Sequence, residues 1–524
     1  MNRKGIPLPV IGLALLLIVF IAIKIPYLDL PFYWDEAWVY AKAVRAMHEQ
    51  GISLLPDAIP PELSRGHPLL FHALAAAWMS VFGDGRIAMH AFPLAVSCGL
   101  LTAVFGMGRL LGSAWLGLVA ACLVAVTEIF LAQSGLLLPE VLLALFCVLA
   151  ATACISRRAW AYVACMTAAL LTKESALACW AAIVAQQVIR RCLASEAGMK
   201  RSEMRWLAWA ALPIAPALLY FVVQRIMLGW FLYPEHTGML TWAPIHINYK
   251  AKLIFKALFE DQGFVWLTYA IGLAAPLLIR TLAIHWRLLA AFLGIAAIKV
   301  LFGRWTLPYG PGLLVAAAAL AGLYAAYVLH LQRRYGQAGE LVSTCFLIMV
   351  SFWSFNALNF YTDRYLVAMT PFIAVGATGA IALAARGWLP RLEALLPLPF
   401  VLVIALHIGR DGAVGDCRLA YREAIAVHQE MAAYLESEGL QDESIHGSFM
   451  DVSYLSDPLA GYLSQGRAFT HVSNQLDADT RYAIVDYSSG SERRTELAAL
   501  GFSTIKRFER GPAWSELMLR PPSR

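Results

Sequence analysis

The sequence predicts an α-helical polytopic membrane protein that carries a small soluble α/β domain at its C-terminus. Hydrophobic residues make up 60% of the 524 residues and charged residues only 15%, and the mean hydropathy is +0.63. These values are typical of multi-pass membrane proteins and lie far from those of soluble domains. After about residue 410 the pattern changes to polar helix-like stretches alternating with short strand-like runs, which indicates the soluble domain.

Apolar runs long enough to cross a bilayer, each roughly 20 residues or slightly fewer, predict about thirteen transmembrane helices. The fifth run is the shortest. The runs lie near residues 7–24, 86–108, 112–132, 139–156, 160–172, 175–190, 206–228, 262–280, 287–303, 309–330, 340–358, 365–385 and 394–409.

The basic residues predict how these spans are oriented. If Arg3 and Lys4 lie inside, every second loop that follows also carries Arg or Lys, as the positive-inside rule requires. The N-terminal MNRKG and the apolar run after it lack a small-residue cleavage site, so this run is expected to stay as the first span. We therefore expect a multi-pass protein of the cell (inner) membrane with a cytoplasmic N-terminus and an extracytoplasmic C-terminal domain.

This topology divides the chain into a transmembrane domain, 1–409, and an extracytoplasmic α/β domain, 410–524. An unusually long outer loop, 25–85, follows the first span. The net charge of +6 comes with basic residues in short loops, so we expect no nucleic-acid partner. The nine cysteines are scattered without a CxxC pair, so no disulfide framework is expected. The stretch Asp477-Ala478-Asp479 is interpreted as a polar turn before a strand.

The stretch FYWDEAW, residues 32–38, places two adjacent carboxylates among aromatic residues just after the first span. Residues 35–50 have the apolar stripe of a short amphipathic surface helix, and Gly51 is a natural stop. Asp35 at its start is either a helix cap, worth about 1 kcal/mol, or a reactive carboxylate. A helix cap at Asp35 explains neither the presence of a second carboxylate at Glu36 nor the aromatic residues on both sides of the pair.

Ionisable and polar residues also lie at the outer ends of other predicted spans, where full insertion of a charge costs about 3 kcal/mol. Each of these residues also has a simpler explanation. Lys173 snorkels and pairs with its neighbour, and Glu140 caps a helix. Asp363 and Arg364 neutralise each other or a neighbour, and His67 is an interfacial histidine. Together, cations and carboxylates facing one side from several spans predict a cavity for an anionic lipid headgroup. The candidates are His67, Glu140, Lys173, Arg304, Arg364 and Tyr365.

Six stretches resemble the GT-C membrane glycosyltransferases, and within them the bacterial protein-mannosyltransferase-like group that contains the lipid A aminoarabinose transferase. The resemblance covers roughly residues 20–195, and 355–375 locally. Two departures concern substrate choice: Glu140 stands without the Arg of an Arg-x-x-Asp stretch, and Gly66-His67-Pro68 replaces a Lys-Pro-Pro. The matching stretches are YWDEAWVYAKAVRAMHEQG, GHPLLFHALAAAWMSVFG, GRIAMHAFPLAVSCGLLTAVFGMGRLLG, SGLLLPEVLLALF, ALLTKESAL and TDRYLVAMTPF.

The resemblance implies transfer of a sugar from a polyprenyl-phosphate donor to an acceptor hydroxyl on the outer face, with inversion. Asp35 would be the general base and Glu36 would orient the acceptor or share that role. The lipid phosphate would be held by Lys173 and Arg364, with Arg304 and His67 as further candidates. Glu140 and Tyr365 are assigned to substrate binding.

The sequence names neither the sugar nor the acceptor, which is a lipid, a glycan or a protein. It indicates no cofactor, and it leaves open whether a divalent metal binds near the acidic residues. The rival class is a transporter or flippase of lipid-linked sugar, which also needs polar residues between spans; the two-fold repeats common in transporters are not evident. A third class is a non-catalytic scaffold, which would have no use for Asp35.

Overall fold

A computed structural model describes residues 7–193, 197–240, 242–267, 270, 311–386, 395–410, 412–477 and 479–521. The predicted spans near 262–280 and 287–303 lie largely outside these ranges. The candidate site residue Arg304 also lies outside the described residues.

The described chain before residue 410 is built from helices. Short π-helical turns, Glu36–Tyr40 and Lys256–Asp261, and 3₁₀ turns, Ile25–Tyr27 and Asp363–Ala368, interrupt them. The helices are α1 Leu8–Lys24, α2 Ala41–Gln50, α3 Pro61–Ser64, α4 Leu70–Phe82, α5 Arg86–Arg109, α6 Ala114–Ala125, α7 Glu128–Gln133, α8 Glu140–Ile155, α9 Ala159–Thr172, α10 Ala176–Leu193, α11 Ala197–Ala211, α12 Ile214–Leu228, α13 Pro234–Thr237, α14 Pro244–Phe255, α15 Pro311–Leu358 with a bend at Gly336, α16 Thr370–Ala385 and α17 Pro399–Ala405.

Within the described ranges, five helical segments are long and apolar enough to cross a membrane. They are Leu8–Tyr27, Arg86–Arg109, Lys200–Leu228, Arg333–Leu358 and Asp363–Ala385. Helices α4, α6, α8 and α9 are apolar but shorter. The mostly helical, multi-pass character predicted from composition is therefore confirmed, whereas the number of thirteen spans stays a prediction.

Two elements differ from the predicted spans. Helix α4 is apolar and lies inside the stretch 25–85 that was expected to be a loop; at 13 residues it is shorter than a straight crossing requires. The predicted span 112–132 is divided, because α6 ends at Ala125 and α7 begins at Glu128. Helices α5 and α6 approach closely, and a Cβ on Gly108 would lie 2.7 Å from the Cα of Gly117.

The two ends of the helix bundle carry different polar groups. Glu140 begins α8 and Lys173 follows α9, so both lie at one end. At the opposite end Arg157 and Arg190 both contact Glu203 and Glu340, with Arg157 Nη2 at 3.3 Å from Glu340 Oε1 and Arg190 Nη2 at 2.9 Å from Glu203 Oε1. Residues of three predicted inside loops therefore meet. The orientation itself stays a prediction.

The C-terminal part folds as an α/β unit, as its sequence pattern predicts. Five strands form one sheet in the order β2-β1-β3-β5-β4, in which β1 is parallel to β2 and β3, and β5 is antiparallel to β3 and β4. The boundary at 409/410 stays a prediction. The elements are α18 Tyr421–Ser437, β1 Ile445–His446, α19 Phe449–Ser456, β2 Val472–Ser473, β3 Tyr482–Asp486, α20 Gly490–Ala499, β4 Ser503–Arg510 and β5 Ala513–Leu519.

The α/β unit packs directly on the segment that follows α1. Phe32 N donates to Ala460 O at 3.0 Å, and Tyr462 Oη donates to Phe32 O at 3.1 Å. The hydroxyl groups of Tyr33 and Tyr487 share a hydrogen bond of 2.7 Å. One continuous apolar core contains residues of the FYWDEAW segment, of α4 and of the α/β unit. The C-terminal unit thus fixes the backbone on which Asp35 lies.

Candidate active site

The segment carrying Asp35 is a strained turn that leads into a helix. Trp34 has a φ of +57°, a left-handed conformation that costs an L-residue about 1–2 kcal/mol. The π-helical turn Glu36–Tyr40 follows and continues into α2, which ends at Gly51 with φ +107°. The predicted surface helix is therefore present. Asp35 makes no side-chain capping hydrogen bond, so the helix-cap explanation does not describe its carboxylate.

The carboxylate of Asp35 instead contacts the guanidinium of Arg364. Arg364 Nη1 also donates to Asp416 Oδ2 at 3.1 Å, and its Nε lies 3.4 Å from Glu140 Oε1. Glu140 accepts a hydrogen bond of 2.7 Å from Lys173 Nζ. These five residues, which we name the Arg364 cluster, come from five separate parts of the chain and meet at one end of the bundle.

Lys173 is held from a second side by an aromatic ring. Its Nζ lies 4.0 Å from the ring centroid of Tyr365, a cation–π distance. Asp363 does not pair with Arg364: it accepts a hydrogen bond of 2.7 Å from Tyr361 Oη and lies 3.7 Å from Arg418. The observed partners of Arg364 are therefore Asp35, Glu140 and Asp416, and not its neighbour in the sequence, Asp363.

The Arg364 cluster carries an excess of negative charge. Two cations, Lys173 and Arg364, face three carboxylates, Asp35, Glu140 and Asp416, so the formal sum is +2 − 3 = −1. Burial raises the pKa of Asp416, and Arg364 acts in the opposite direction. Because Arg364 already has three anionic partners, an incoming phosphate would have to displace one of them to bind it.

A cavity of about 710 Å³ opens beside Asp35. Its wall contains Asp35, Arg364 and Tyr365 together with the aromatic side chains of Trp34 and Trp38. The linker 413–418 and Phe449 of the α/β unit close the wall on another side. A cavity of this size is ample for a sugar, and its aromatic lining suits a saccharide ring.

A second cavity of about 120 Å³ adjoins the first. The two share the lining residues Arg65, His67, His236, Phe360 and Tyr365. The smaller cavity adds Lys173 and apolar side chains of α12, α15 and the segment after α12, among them Phe221, Leu232, Leu240 and Phe355. His67 Nδ1 lies 2.8 Å from Glu174 Oε2. The lining therefore combines basic side chains, one carboxylate, Glu174, and apolar side chains, a mixture that suits a charged lipid headgroup.

Glu36 is not part of this group. It is fully buried and accepts hydrogen bonds from Tyr33 N at 3.1 Å and Leu137 N at 2.6 Å. His90 Nε2 lies 2.9 Å from its Oε1. Glu36 does not line the larger cavity, and its side chain joins the segment to α5 and to the turn before α8. The role of Glu36 in orienting the acceptor stays a prediction.

The structure adds three polar residues that sequence reasoning did not select. Asp416 enters the Arg364 cluster from GRDGAVGD, the glycine-rich stretch 409–416 between the helices and the α/β unit. Arg65, whose φ is +49°, and His236 line both cavities. Arg65 directly precedes Gly66-His67-Pro68. This position, two residues before His67, indicates from the sequence that Arg65 lies at the same site.

No protein-family profile matches the chain, and no curated protein matches it. Solved structures do match. ArnT (the lipid A aminoarabinose transferase) of Cupriavidus metallidurans bound to undecaprenyl phosphate is 14% identical with a TM-score of 0.46, over 97% of this chain and 98% of that chain. The Archaeoglobus fulgidus oligosaccharyltransferase in complex with zinc and sulfate is 12% identical with a TM-score of 0.45, over 93% and 69% of the two chains. Both are GT-C glycosyltransferases, and the first belongs to the group that the sequence motifs resemble.

Proposed function

We propose that this chain is a membrane glycosyltransferase that moves a sugar from a polyprenyl-phosphate donor to an acceptor hydroxyl. The reaction would occur on the extracytoplasmic face, where the positive-inside pattern predicts the Arg364 cluster to lie. The donor class comes from the family resemblance of the motifs, and the rest of the proposal rests on this chain's own side chains. The acceptor is a lipid, a glycan or a protein.

The observation that carries the proposal is the pair of adjoining cavities. The larger one has a carboxylate, Asp35, among aromatic side chains, and the smaller one combines Arg65, His67 and Lys173 with apolar walls. A lipid-phosphate sugar has the same sequence of parts: an apolar chain, an anionic phosphate and a polar ring. A donor whose phosphate lies in the smaller cavity would extend its sugar into the larger one.

Asp35 acts in this scheme as the general base. It takes the proton of the acceptor hydroxyl as the oxygen attacks the anomeric carbon, while the bond from that carbon to the phosphate oxygen breaks. Attack from the side opposite the phosphate inverts the configuration. Arg364 contacts the Asp35 carboxylate and holds it in place. The strained backbone at Trp34 belongs to the same turn, and such strain is frequent beside reactive groups.

The leaving phosphate gains negative charge and needs cations nearby. We propose that Lys173 and Arg65 provide them and that His67 adds a hydrogen bond, because all three line the smaller cavity. Arg364 has three carboxylate partners, so its main role is assigned to positioning Asp35, with phosphate contact as a secondary role. Tyr365 and Glu140 orient Lys173. Arg304 remains a candidate from the sequence alone.

The test uses purified protein in lipid nanodiscs with a panel of undecaprenyl-phosphate hexoses and pentoses and a cell-envelope extract as acceptor. Mass spectrometry of released undecaprenyl phosphate reports turnover. We expect release from at least one donor by the wild-type protein and a loss of about 100-fold for Asp35→Asn. Donor that crosses a vesicle bilayer without any release of undecaprenyl phosphate would instead indicate a flippase, and the transferase proposal would be abandoned.

A further inference from the structure

The α/β unit contains a buried group of polar side chains that the proposed transfer reaction does not use. His428 of α18, Asp451 of α19 and Asp486 at the end of β3 are each completely buried. One ligand atom from each, a ring nitrogen or a carboxylate oxygen, lies within 4.8 Å of the others. The hydroxyl of Ser448, which caps α19, lies among them. We name these four residues the His428 site.

The topology explains why these residues meet. Strands β1 and β3 are parallel neighbours, so their carboxyl ends lie at the same edge of the sheet. Asp486 is the last residue of β3, and Ser448 follows β1 by two positions. The crevice at the carboxyl ends of parallel strands is where α/β sheets most often bind ligands. Helix α18 then covers this edge and brings His428 to it.

Unpaired charge is the first sign of a missing ligand. Among the residues that the structure describes, neither Asp451 nor Asp486 forms an ion pair with Lys or Arg; the nearest basic side chain is the ring of His428, 3.3 Å from Asp486. Two buried carboxylates without a permanent positive charge are costly unless a cation or a proton compensates them.

The histidine gives a second, independent sign. His428 Nε2 lies 3.3 Å from Asp486 Oδ2, yet neither ring nitrogen has a hydrogen-bond partner within the described part of the chain. Two atoms that are close but do not hydrogen-bond are what two ligands of one ion present to each other. The ring is fixed between Tyr454 and Tyr487, at centroid distances of 4.9 Å and 5.7 Å.

The carboxylates are oriented as metal ligands usually are. Asp486 Oδ1 accepts hydrogen bonds from the backbone and hydroxyl groups of Ser488 and Ser489, which leaves Oδ2 turned to the site. Asp451 Oδ1 accepts from Tyr454 Oη at 2.8 Å, and its Oδ2 accepts from the backbone N–H and the hydroxyl of Ser448, both at 2.7 Å. Partners of this kind fix ligand orientation in metal sites.

Two distances at Asp486 match those between neighbouring ligands of a tetrahedral ion. Metal–ligand bonds of about 2.0–2.1 Å place neighbouring ligands of a tetrahedron about 3.3 Å apart. The distances from Asp486 Oδ2 to His428 Nε2 and to Ser448 Oγ are 3.3 Å and 3.4 Å. A histidine with carboxylates selects zinc or a similar transition metal over Mg²⁺, which prefers oxygen ligands alone.

We propose that His428, Asp451, Asp486 and the Ser448 hydroxyl bind a structural divalent metal ion of the zinc type in the C-terminal α/β unit. The ion connects α18, the start of α19 and the end of β3. Because Tyr487 follows Asp486 and hydrogen-bonds to Tyr33, the ion also stabilises the surface on which the FYWDEAW segment lies.

The experiment uses the full-length protein without a polyhistidine tag, loaded with Zn²⁺, dialysed against metal-free buffer and analysed for metal by mass spectrometry. We expect about one equivalent of zinc in the wild-type protein and its loss in His428→Gln and Asp486→Asn. The matched controls are the exposed residues of the same unit, His471→Gln and Asp442→Asn, which should keep it. Zinc retained equally by all variants, or absent from the wild type, overturns the proposal.

A second measurement needs no variant. Zinc-edge X-ray absorption of the loaded wild-type protein should give one imidazole together with oxygen ligands and no sulfur. Two imidazoles would place the ion near His67 and His236, whose rings are 5.2 Å apart, and would refute the His428 site. Removal of the ion by a chelator should also lower the Tm of the wild-type protein but not that of His428→Gln.

Discussion

Asp35 and Arg364 are 329 positions apart in the chain, and their side chains are in direct contact at the wall of the larger cavity. The same guanidinium reaches Asp416 and Glu140. An arginine with three carboxylate partners is a positioning group as much as a phosphate ligand, because its planar donors fix the orientation of each acid. The following predictions test what each partner does.

Replacing Asp35 with Asn should leave folding and donor binding close to normal and lower turnover about 100-fold or more, because an amide cannot take the acceptor's proton. The readout is the sugar-transfer rate of monodisperse protein, with donor affinity measured in parallel. The matched control is Asp57→Asn, an exposed acid of the same long segment, which should behave as wild type. Near-normal turnover of Asp35→Asn would remove Asp35 as the base, and Glu140 would be tested next.

Replacing Arg364 with Ala should lower the free energy of unfolding by about 3–5 kcal/mol, since it leaves buried carboxylates without a partner. Arg364→Lys should fold better but still lose turnover, because one ammonium group cannot bind three carboxylates in the geometry of a guanidinium. Thermal unfolding and transfer rate are measured together. Arg481→Lys, at an exposed ion pair, is the control. A fully active Arg364→Lys enzyme would contradict the positioning role.

Replacing Lys173 with Met or Arg65 with Gln should weaken donor binding about tenfold each, the value of one charge-assisted hydrogen bond. Lys173→Arg should retain part of the affinity. Donor titration by intrinsic fluorescence measures the effect, and the exposed Lys252→Gln on α14 is the control. If both variants bind the donor as wild type does, the phosphate lies elsewhere, and Arg364 and Arg304 become the better candidates.

Replacing Glu36 with Gln should reduce stability rather than chemistry. Both carboxylate oxygens accept hydrogen bonds from backbone N–H groups, and an amide would turn its own donor toward one of them, at a cost of about 1–3 kcal/mol. We expect a lower Tm and a turnover per folded molecule within a few-fold of wild type. Glu49→Gln, exposed on α2, should change neither. A turnover defect as large as that of Asp35→Asn would show that Glu36 takes part in the reaction.

The orientation can be tested by cysteine labelling. Ser437 is exposed at the end of α18, and Cys192, the exposed native cysteine among those described, lies in a predicted inside loop. In a Cys192→Ser background, Ser437→Cys should react with an impermeant maleimide in cells whose outer barrier alone is permeabilised. Native Cys192 should react only after the inner membrane is lysed. The opposite labelling pattern would invert the topology and with it the face on which transfer occurs.

The sequence predicted the helical membrane character, the α/β unit and the Asp35 segment because each depends on local pattern. It could not decide which of the adjacent acids faces the cavity. Neighbouring helical residues point about 100° apart, and only the packing of Tyr33, His90 and Leu137 around Glu36 settles that direction. The place of Asp416 in the site was not predicted for a different reason. Gly409, Gly412 and Gly415 precede it and are typical of a linker. Its carboxylate joins the site only through its contact with the distant Arg364.

The contact between the last quarter of the chain and the FYWDEAW segment has a consequence for biosynthesis. Asp35 leaves the ribosome early, whereas Asp416, Ala460, Tyr462 and Tyr487, which hold its surroundings in place, are made hundreds of residues later. The Asp35 carboxylate therefore reaches its final geometry only after the complete chain has been inserted and the α/β unit has folded. Prematurely terminated chains would remain in the membrane as inert helical bundles, unable to discharge the cell's supply of lipid-linked sugar.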